Sequence, residues 1–208
     1  MMRLYAGVAV AAAVGLVAGS AVWVYMSGAD DPFASCRGGQ IAGGAIGGPF
    51  ELIDETGKTV TDQDVITKPT LVYFGYTFCP DVCPLDNARN AEAVDLLEKL
   101  GMEVTPVFIS FDPKRDTPAI LSEFTNNLHP RMIGLTGSEA QIKAASQAYK
   151  TYFKVQDPED EYYLIDHSTY TYLMMPGTGF LDFFQRDVTA QQMADRVACF
   201  LDATSQAD

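Results

Sequence analysis

The chain has 208 residues, of which 48% are hydrophobic, and this length accommodates one ordinary domain after a membrane segment is subtracted. Its formal net charge of -13 argues against a nucleic-acid ligand, because phosphate binding needs clustered Lys and Arg. The charge is compatible with a cationic partner surface or a metal ion, and equally with a role in solubility alone.

The N-terminal part of the chain contains an uncharged apolar segment, residues 4–26. About 20 apolar residues suffice for a helix to cross a bilayer. Arg3 precedes the segment and Asp30 and Asp31 follow it, so the positive-inside rule predicts that the remainder lies outside the cytoplasm. A cleaved signal peptide is the alternative, but its apolar region is usually shorter. Because the start of the chain lacks the Arg and Ser enrichment of a transit peptide, we expect a single-pass anchor in a bacterial inner membrane, with the soluble domain in the periplasm.

The composition divides the chain into four predicted parts. Residues 1–26 are the anchor, and residues 27–46, rich in Gly, Ser and Ala, are predicted to be a flexible tether. The folded domain is predicted over residues 47–203, which leaves residues 204–208 as a C-terminal tail.

Within the predicted domain, segments typical of strands and helices alternate. Strands are predicted at residues 50–53, 70–74, 104–111, 133–135, 169–175 and 180–184. Helices are predicted at residues 86–100, from the Thr117-Pro118 cap onward, at 138–152 and from 189 to about 201. This order predicts an α/β, thioredoxin-like domain, with a central, mostly parallel sheet flanked by helices and a closing antiparallel hairpin. The polar stretches at 112–116 and 157–161, and His129, are predicted to be solvated; the alternative for 157–161, part of an acidic loop at 154–163, is contact with a basic partner.

The sequence YFGYTFCPDVCP at residues 73–84 carries a cysteine pair. Gly75 lets the chain turn after a buried strand into an exposed loop, and Pro84 fits the first position of a helix, which places Cys83 near the helix cap. Backbone N–H groups there favour a Cys83 thiolate. The offset from Cys79 to Cys83 brings the Cα atoms to about 6 Å, which suits a disulfide or two thiolates on one metal ion. The spacing therefore leaves metal-binding, redox and purely structural roles open.

A third ligand would favour the metal. His167 lies just before the first strand of the closing hairpin, a junction that faces the cysteine loop in thioredoxin-like folds. Two thiolates and an imidazole form a soft donor set, suited to Cu(I) and tolerable for Cu(II) or Zn(II). Asp166 is placed either to orient the imidazole or to face water. Met174 and Met175 are expected to pack in the core rather than to bind metal, because one of two neighbours on a strand faces the core in any case.

Three separated blocks resemble the Sco/SenC family: YFGYTFCPDVCP at 73–84, FISFDPKRDTP at 108–118 and DHSTYTYLM at 166–174. The stretch GGPFELIDETGKTVTDQD at 47–64 also resembles the opening hairpin of that family. The resemblance covers about residues 47–203. It implies a membrane-anchored thioredoxin-like protein that binds one copper ion, as Cu(I) or Cu(II), through Cys79, Cys83 and His167.

The resemblance further implies a copper metallochaperone that helps to assemble the dinuclear copper centre of cytochrome c oxidase subunit II. A periplasmic copper donor and a thioredoxin-like reductant are the other expected partners. The alternative is a thiol–disulfide oxidoreductase that uses Cys79 and Cys83 as a redox dithiol to reduce the cysteines of that subunit. A third possibility is a copper or redox sensor that signals through a membrane partner. His167 discriminates between the first two functions, because a dithiol reductase does not need it.

The two remaining cysteines lie far apart in the sequence, Cys36 in the predicted tether and Cys199 in the last predicted helix. We expect them to form a disulfide that fixes the tether to this helix, because unpaired exposed thiols are poorly tolerated outside the cytosol. The alternative is two free thiols.

Overall fold

The computed structural model describes residues 14–20, 22–23, 32–38 and 45–205. Residues 14–20 and 22–23 are helical, and the remainder of the predicted membrane segment lies outside the described residues. Among the residues that are described, no helix combines the length and the apolar character needed to cross a bilayer. Parts of the predicted tether, residues 27–31 and 39–44, and the end of the predicted tail, 206–208, also lie outside. The membrane anchor therefore stays a prediction.

Nine labelled strands and five labelled helices make up the described part of the domain from residue 51 onward. The strands are β1 Glu51–Asp54, β2 Thr59–Thr61, β3 Thr70–Gly75, β4 Thr105–Ser110, β5 Ile133–Thr136, β6 Phe153–Val155, β7 Ile165–His167, β8 Thr171–Met175 and β9 Gly179–Phe184. The helices are α1 Asp62–Val65, α2 Val82–Lys99, α3 Pro118–Leu128, α4 Glu139–Ala148 and α5 Ala190–Ser205.

Seven strands form one sheet in the order β2-β1-β5-β4-β3-β8-β9. Only the two pairs that include β4 are parallel, and the other four pairs are antiparallel. The prediction of a mostly parallel sheet is therefore wrong. The short turns between β1 and β2 and between β8 and β9 permit only antiparallel pairing, and β1 and β8 also run against their inner neighbours. The domain is a thioredoxin-like α/β fold with a central mixed sheet flanked by helices.

Two hydrophobic cores cover the two faces of this sheet. One contains Phe74, Phe108 and Tyr149, and the other contains Leu97 and Phe200, all fully buried. Met174 packs in the first core and Met175 in the second, as alternation along β8 requires. Both methionines are buried, so the prediction that they pack in the core is confirmed.

Several predicted boundaries shift in the structure. Helix α2 begins at Val82, one residue before Cys83 and four before the predicted start. Helix α4 ends at Ala148 instead of reaching Tyr152, and Lys150 follows with a left-handed φ of 52°. Strands β6 and β7 form a separate two-stranded sheet in which Phe153 pairs with His167. Strand β6 was not predicted from the sequence, because it has only three residues and acidic residues follow it.

The prediction of a solvated His129 is wrong, because its side chain is buried. Its Nε2 lies 3.4 Å from Asp95 Oδ1, and its Nδ1 accepts a hydrogen bond from the Arg131 N–H. Nδ1 therefore carries no proton, so Nε2 carries the ring hydrogen and lies beside the Asp95 carboxylate. Glu98 lies close to both groups but forms an ion pair with Arg131. This cluster is satisfied without a metal ion.

The predicted disulfide between Cys36 and Cys199 is confirmed, with a Cα–Cα distance of 5.6 Å. The segment that carries Cys36 packs on α5, where the rings of Phe33 and Phe200 lie 5.7 Å apart between centroids. The Gly38 N–H donates to Asp182, whose carboxylate also binds Arg196. The bridge therefore fixes residues 32–38 against the second core.

Candidate metal centre

The cysteine loop begins where β3 ends, at Gly75. A Cβ atom on Gly75 would lie 2.9 Å from both Cys83 Sγ and Tyr73 Cε1, and 3.0 Å from Phe108 Cε2. Real Cβ atoms do not approach heavy atoms as closely as 2.9 Å, so any larger residue at position 75 would displace the sulfur or the tyrosine ring. Glycine is therefore required here for close approach. Its φ is not positive, so the turn predicted from the sequence is not what requires a glycine.

Cys79 and Cys83 meet at the start of α2. The N-cap residue, Asp81, forms no side-chain capping bond. Instead, the backbone N–H of Cys83 points to Cys79 Sγ at 3.4 Å. The sulfur of Cys79 thus receives the N–H group that an N-cap side chain would otherwise satisfy. Cys83 was expected to gain from the helix start, with Pro84 at the first helical position. That prediction is wrong, because the helix begins at Val82, two residues before Pro84.

The two thiols differ strongly in acidity. A hydrogen bond from the Cys83 thiol lowers the pKa of Cys79 to about 3, against the opposing effect of burial, and backbone N–H groups lower it further. The same sulfur–sulfur hydrogen bond, together with burial, raises the pKa of Cys83. Cys79 is therefore the thiolate of the pair in the metal-free protein. It is 8% exposed and Cys83 is fully buried, so the prediction of an exposed site is wrong.

His167, at the end of β7, completes the group. Its Nε2 lies 3.3 Å from Cys83 Sγ, and its Nδ1 lies 2.8 Å from the carbonyl oxygen of Ser168. Because a carbonyl only accepts, Nδ1 carries the ring hydrogen, and the Nε2 lone pair of the neutral ring faces the sulfurs. Asp166 does not orient this ring: its side chain is exposed and accepts a hydrogen bond from Gln156. Of the two alternatives for Asp166, facing water is therefore the one that occurs, and the backbone carbonyl of Ser168 orients the ring.

Three aromatic rings surround the imidazole. The centroids of Phe111, Tyr76 and Tyr73 lie 5.6, 5.9 and 6.3 Å from that of His167, and the two tyrosines contact it edge-on. These rings leave the imidazole little room to rotate and exclude water from its sides. The ligand atom is therefore presented to the sulfurs in one orientation, which reduces the reorganisation that metal binding requires.

The structure brings together all three residues singled out from the sequence. Cys79 Sγ, Cys83 Sγ and the imidazole nitrogen of His167 lie within 4.8 Å of one another. Bonds of about 2.0–2.3 Å to one ion place ligand atoms roughly 3.5–4 Å apart, so small side-chain movements suffice. Two soft sulfurs and an oriented imidazole suit a copper ion.

The turn between β4 and α3 was predicted to be solvated, which is wrong. Asp112 and Asp116 are almost completely buried. Asp116 accepts hydrogen bonds from the backbone N–H and the hydroxyl of Thr77, at 2.9 and 2.5 Å, and so holds the cysteine loop. Asp112 accepts from the Tyr163 hydroxyl at 2.6 Å. Charged residues in a turn normally indicate solvation, so composition did not reveal these contacts.

A second missed contact lies beneath the cysteines. The hydroxyl of Tyr73 donates to the buried carboxylate of Asp86 at 3.0 Å, and the Arg186 Nε lies 3.3 Å from the same carboxylate. Asp86 follows Cys83 by three residues on α2, so the two residues lie on the same face of the helix. This spacing was the only sequence signal that could have identified Asp86 as a neighbour of the site.

Comparison with known proteins agrees with the sequence blocks and with the fold. A family model described as SCO1/SenC matches residues 38–202. Protein SenC of Rhodobacter capsulatus is 58% identical over 200 residues, which cover 95% of this chain and 90% of that protein.

Two solved structures share the architecture. Arabidopsis thaliana ScoI with copper bound has a TM-score of 0.72 and 42% identity, over 78% of this chain and 99% of that chain. Bradyrhizobium japonicum ScoI with copper bound has a TM-score of 0.67 and 39% identity, over 74% of this chain and 98% of that chain. From its sequence blocks, its fold and these matches, the chain belongs to the SCO1/SenC family.

Proposed function

We propose that the protein is a copper metallochaperone that carries one copper ion on Cys79, Cys83 and His167. The observation that carries the proposal is the convergence of two sulfurs and an oriented imidazole within 4.8 Å. The copper-bound ScoI structures from Arabidopsis thaliana and Bradyrhizobium japonicum support it, because they share the fold at 42% and 39% identity. Both oxidation states of copper are compatible with these donors, and the two thiolates favour Cu(I).

The family resemblance supports cytochrome c oxidase subunit II as the recipient of the copper, at its dinuclear copper centre. The apolar segment at 4–26 supports a single-pass anchor in a bacterial inner membrane, with the domain in the periplasm beside that enzyme. In this arrangement a periplasmic donor would load the site. The anchor would confine loading and delivery to the membrane surface.

The burial of the ligands suggests how a bound ion would be handed over. Cys83 is fully buried, whereas Cys79 is slightly exposed and His167 is partly exposed. Three protein ligands leave an open position for a ligand from the partner. Exchange would begin on the side of Cys79 and His167, and Cys83 would release the ion last. No free copper ion needs to form in such an exchange.

Thiol–disulfide exchange is the second candidate function, and the unequal acidity of the two cysteines favours it. The Cys79 thiolate would attack a disulfide of the recipient, which forms a mixed disulfide and releases one recipient thiolate. The Cys83 thiol would then lose its proton and attack Cys79, which releases the second recipient thiol and leaves a Cys79–Cys83 disulfide. A thioredoxin-like reductant would supply the two electrons that regenerate the dithiol. Copper binding and the disulfide exclude each other, because both use the same sulfurs.

Copper affinity tests the first function directly. The full-length protein, purified reduced in detergent, is loaded with Cu(I) and titrated with a Cu(I) chelator. We expect one copper per chain, and more than about a hundredfold weaker binding in His167→Ala, since even the loss of an outer-shell partner costs 10–100-fold. The control is His129→Gln, which changes the other histidine. Unchanged affinity in His167→Ala would refute the three-ligand site.

The same variants separate the two functions. A reductase would still reduce a disulfide-containing peptide of the recipient after His167→Ala and would lose this activity in Cys79→Ser. A protein that only carries copper would show no such turnover with any variant. Measuring peptide reduction and copper affinity on one preparation therefore shows which function the dithiol supports.

A further inference from the structure

The hairpin that carries His167 is not hydrogen-bonded into the main sheet. Strand β7 pairs with β6 in a separate two-stranded sheet among the described residues. The Phe153 ring stacks on Phe111 at 4.6 Å between centroids. The position of the imidazole relative to the sulfurs therefore depends largely on side-chain contacts that join the hairpin to the rest of the domain.

Arg115 makes such a contact on both sides of the site. Its guanidinium carbon lies 3.7 Å from the ring centroid of Tyr163, in the segment between β6 and β7. The same carbon lies 4.8 Å from the centroid of Phe78, next to Cys79, and 5.9 Å from that of Tyr76. One cation thus contacts aromatic rings on the histidine hairpin and on the cysteine loop.

The turn that carries Arg115 is itself anchored. Arg115 Nε lies 2.5 Å from Asp112 Oδ2, and the other oxygen of this carboxylate accepts the Tyr163 hydroxyl at 2.6 Å. The Asp112 N–H donates to Ser110 at the end of β4. Arg115 and Tyr163 therefore bind one buried carboxylate that is fixed to the main sheet.

We propose that Arg115 is the positioning residue of the metal centre, and that it holds the hairpin of His167 closed over the loop of Cys79. This inference rests on the proposed copper site, and it names the residue that keeps the histidine and the cysteines together. A planar guanidinium can lie over a ring and keep its Nε bond to a carboxylate, whereas the ammonium of lysine is a point charge that cannot do both. If the hairpin is open in some of the molecules, only the closed molecules bind copper with full affinity. The apparent dissociation constant for copper is then the intrinsic one divided by the closed fraction of molecules.

The test uses Arg115→Ala and Arg115→Lys, with Lys114→Ala as the matched control. Lys114 is the preceding cation on the same turn, and its side chain is 66% exposed. We expect roughly tenfold weaker Cu(I) binding in Arg115→Ala, as expected for losing a partly desolvated cation–π contact. Arg115→Lys should recover only part of the affinity, and Lys114→Ala should bind like the wild type. Wild-type affinity in Arg115→Ala would overturn the proposal.

A double-mutant cycle with His167→Ala separates positioning from general destabilisation. If Arg115 acts through His167, Arg115→Ala weakens binding in the wild type and has no further effect in the His167→Ala background. An equal loss in both backgrounds would overturn the proposal. If Arg115→Ala fails to fold, Tyr163→Leu removes the other half of the same contact and takes its place in the cycle.

Hydrogen exchange of the metal-free protein supplies a readout that does not depend on copper. Arg115→Ala should speed amide exchange at residues 165–168 and leave α2 unchanged, whereas equal acceleration throughout the domain would contradict a local role. A wild type that binds no copper would refute the proposed function, and the exchange experiment would still decide whether Arg115 holds the hairpin.

Discussion

Cys83 Sγ and His167 Nε2 lie 3.3 Å apart, although 84 positions separate the two residues in the sequence. Gly75 creates the space for the sulfur, and the Ser168 carbonyl together with three aromatic rings fixes the imidazole. The fold itself therefore holds the sulfur and the imidazole close together.

The acidity of the two cysteines predicts selective alkylation of the reduced, metal-free protein. The pKa of Cys79 is lowered to about 3, so its thiolate is present at all pH values above that, whereas the raised pKa of Cys83 keeps that group as a thiol. We expect iodoacetamide to label Cys79 and not Cys83 at about pH 5, where an ordinary cysteine is almost inert. Peptide mass spectrometry after a short pulse locates the label.

Cys83→Ser provides the control for this prediction. The serine hydroxyl is a different donor, but the backbone N–H at position 83 remains, so Cys79 should stay more reactive than a free cysteine. Labelling of Cys79 only above about pH 8, as for an unperturbed thiol, would contradict the assigned thiolate.

The close approach at Gly75 predicts that even alanine is disruptive there. In Gly75→Ala the new methyl group must displace the Cys83 sulfur or the Tyr73 ring, and such overpacking costs about 1–3 kcal/mol in the free energy of unfolding. Copper affinity should fall as well, because the sulfur moves. Denaturant unfolding and chelator competition measure the two effects.

Gly48→Ala is the matched control, since a Cβ there meets its nearest neighbour, Ala148 Cβ, at an ordinary 3.5 Å. We expect little change in stability or in copper binding. If Gly75→Ala keeps the stability and copper affinity of Gly48→Ala, the core around Cys83 accommodates a methyl group, and the prediction is contradicted.

The disulfide between Cys36 and Cys199 predicts a contribution to stability that is separate from the metal site. It spans 163 positions, and removing a bridge that closes so long a loop typically costs about 2–4 kcal/mol. The double variant Cys36→Ser, Cys199→Ser should therefore unfold at lower denaturant concentration. Its Cu(I) affinity should equal that of the wild type, because the bridge belongs to the second core. A parallel loss of copper affinity would show that the two regions are coupled.

The sequence predicted those parts of the fold that local patterns determine. The buried strand at 70–74, the Thr117-Pro118 cap and the capping box at Ser138 and Gln141 all occur in the structure. The closing antiparallel hairpin is confirmed as β8 and β9. The directions of β1 and β8 against their inner neighbours were not predicted, because such pairing depends on which strands become neighbours after folding. The strand at Phe153–Val155 was missed because it is three residues long and precedes an acidic loop.

The three residues singled out from the sequence lie together in the structure, but the residues that hold them in place were not predicted. Cysteine spacing left several roles open, and the family resemblance implied Cys79, Cys83 and His167 as one set. The Ser168 carbonyl is a backbone group with no sequence signature, and Asp112 and Asp116 have the composition of a solvated turn. Their roles follow from contacts across the domain. The lowered pKa was assigned to Cys83 and not to Cys79 for a similar reason, since the helix begins at Val82, two residues before the predicted first position, and this changes which sulfur receives the N–H.

The most direct test of the copper site is X-ray absorption spectroscopy of the full-length protein loaded with one equivalent of Cu(I). We predict two sulfur ligands and one imidazole nitrogen at the copper, and loss of the imidazole signal in His167→Ala with both sulfurs retained. A wild-type spectrum with sulfur ligands alone, unchanged by His167→Ala, would contradict the site.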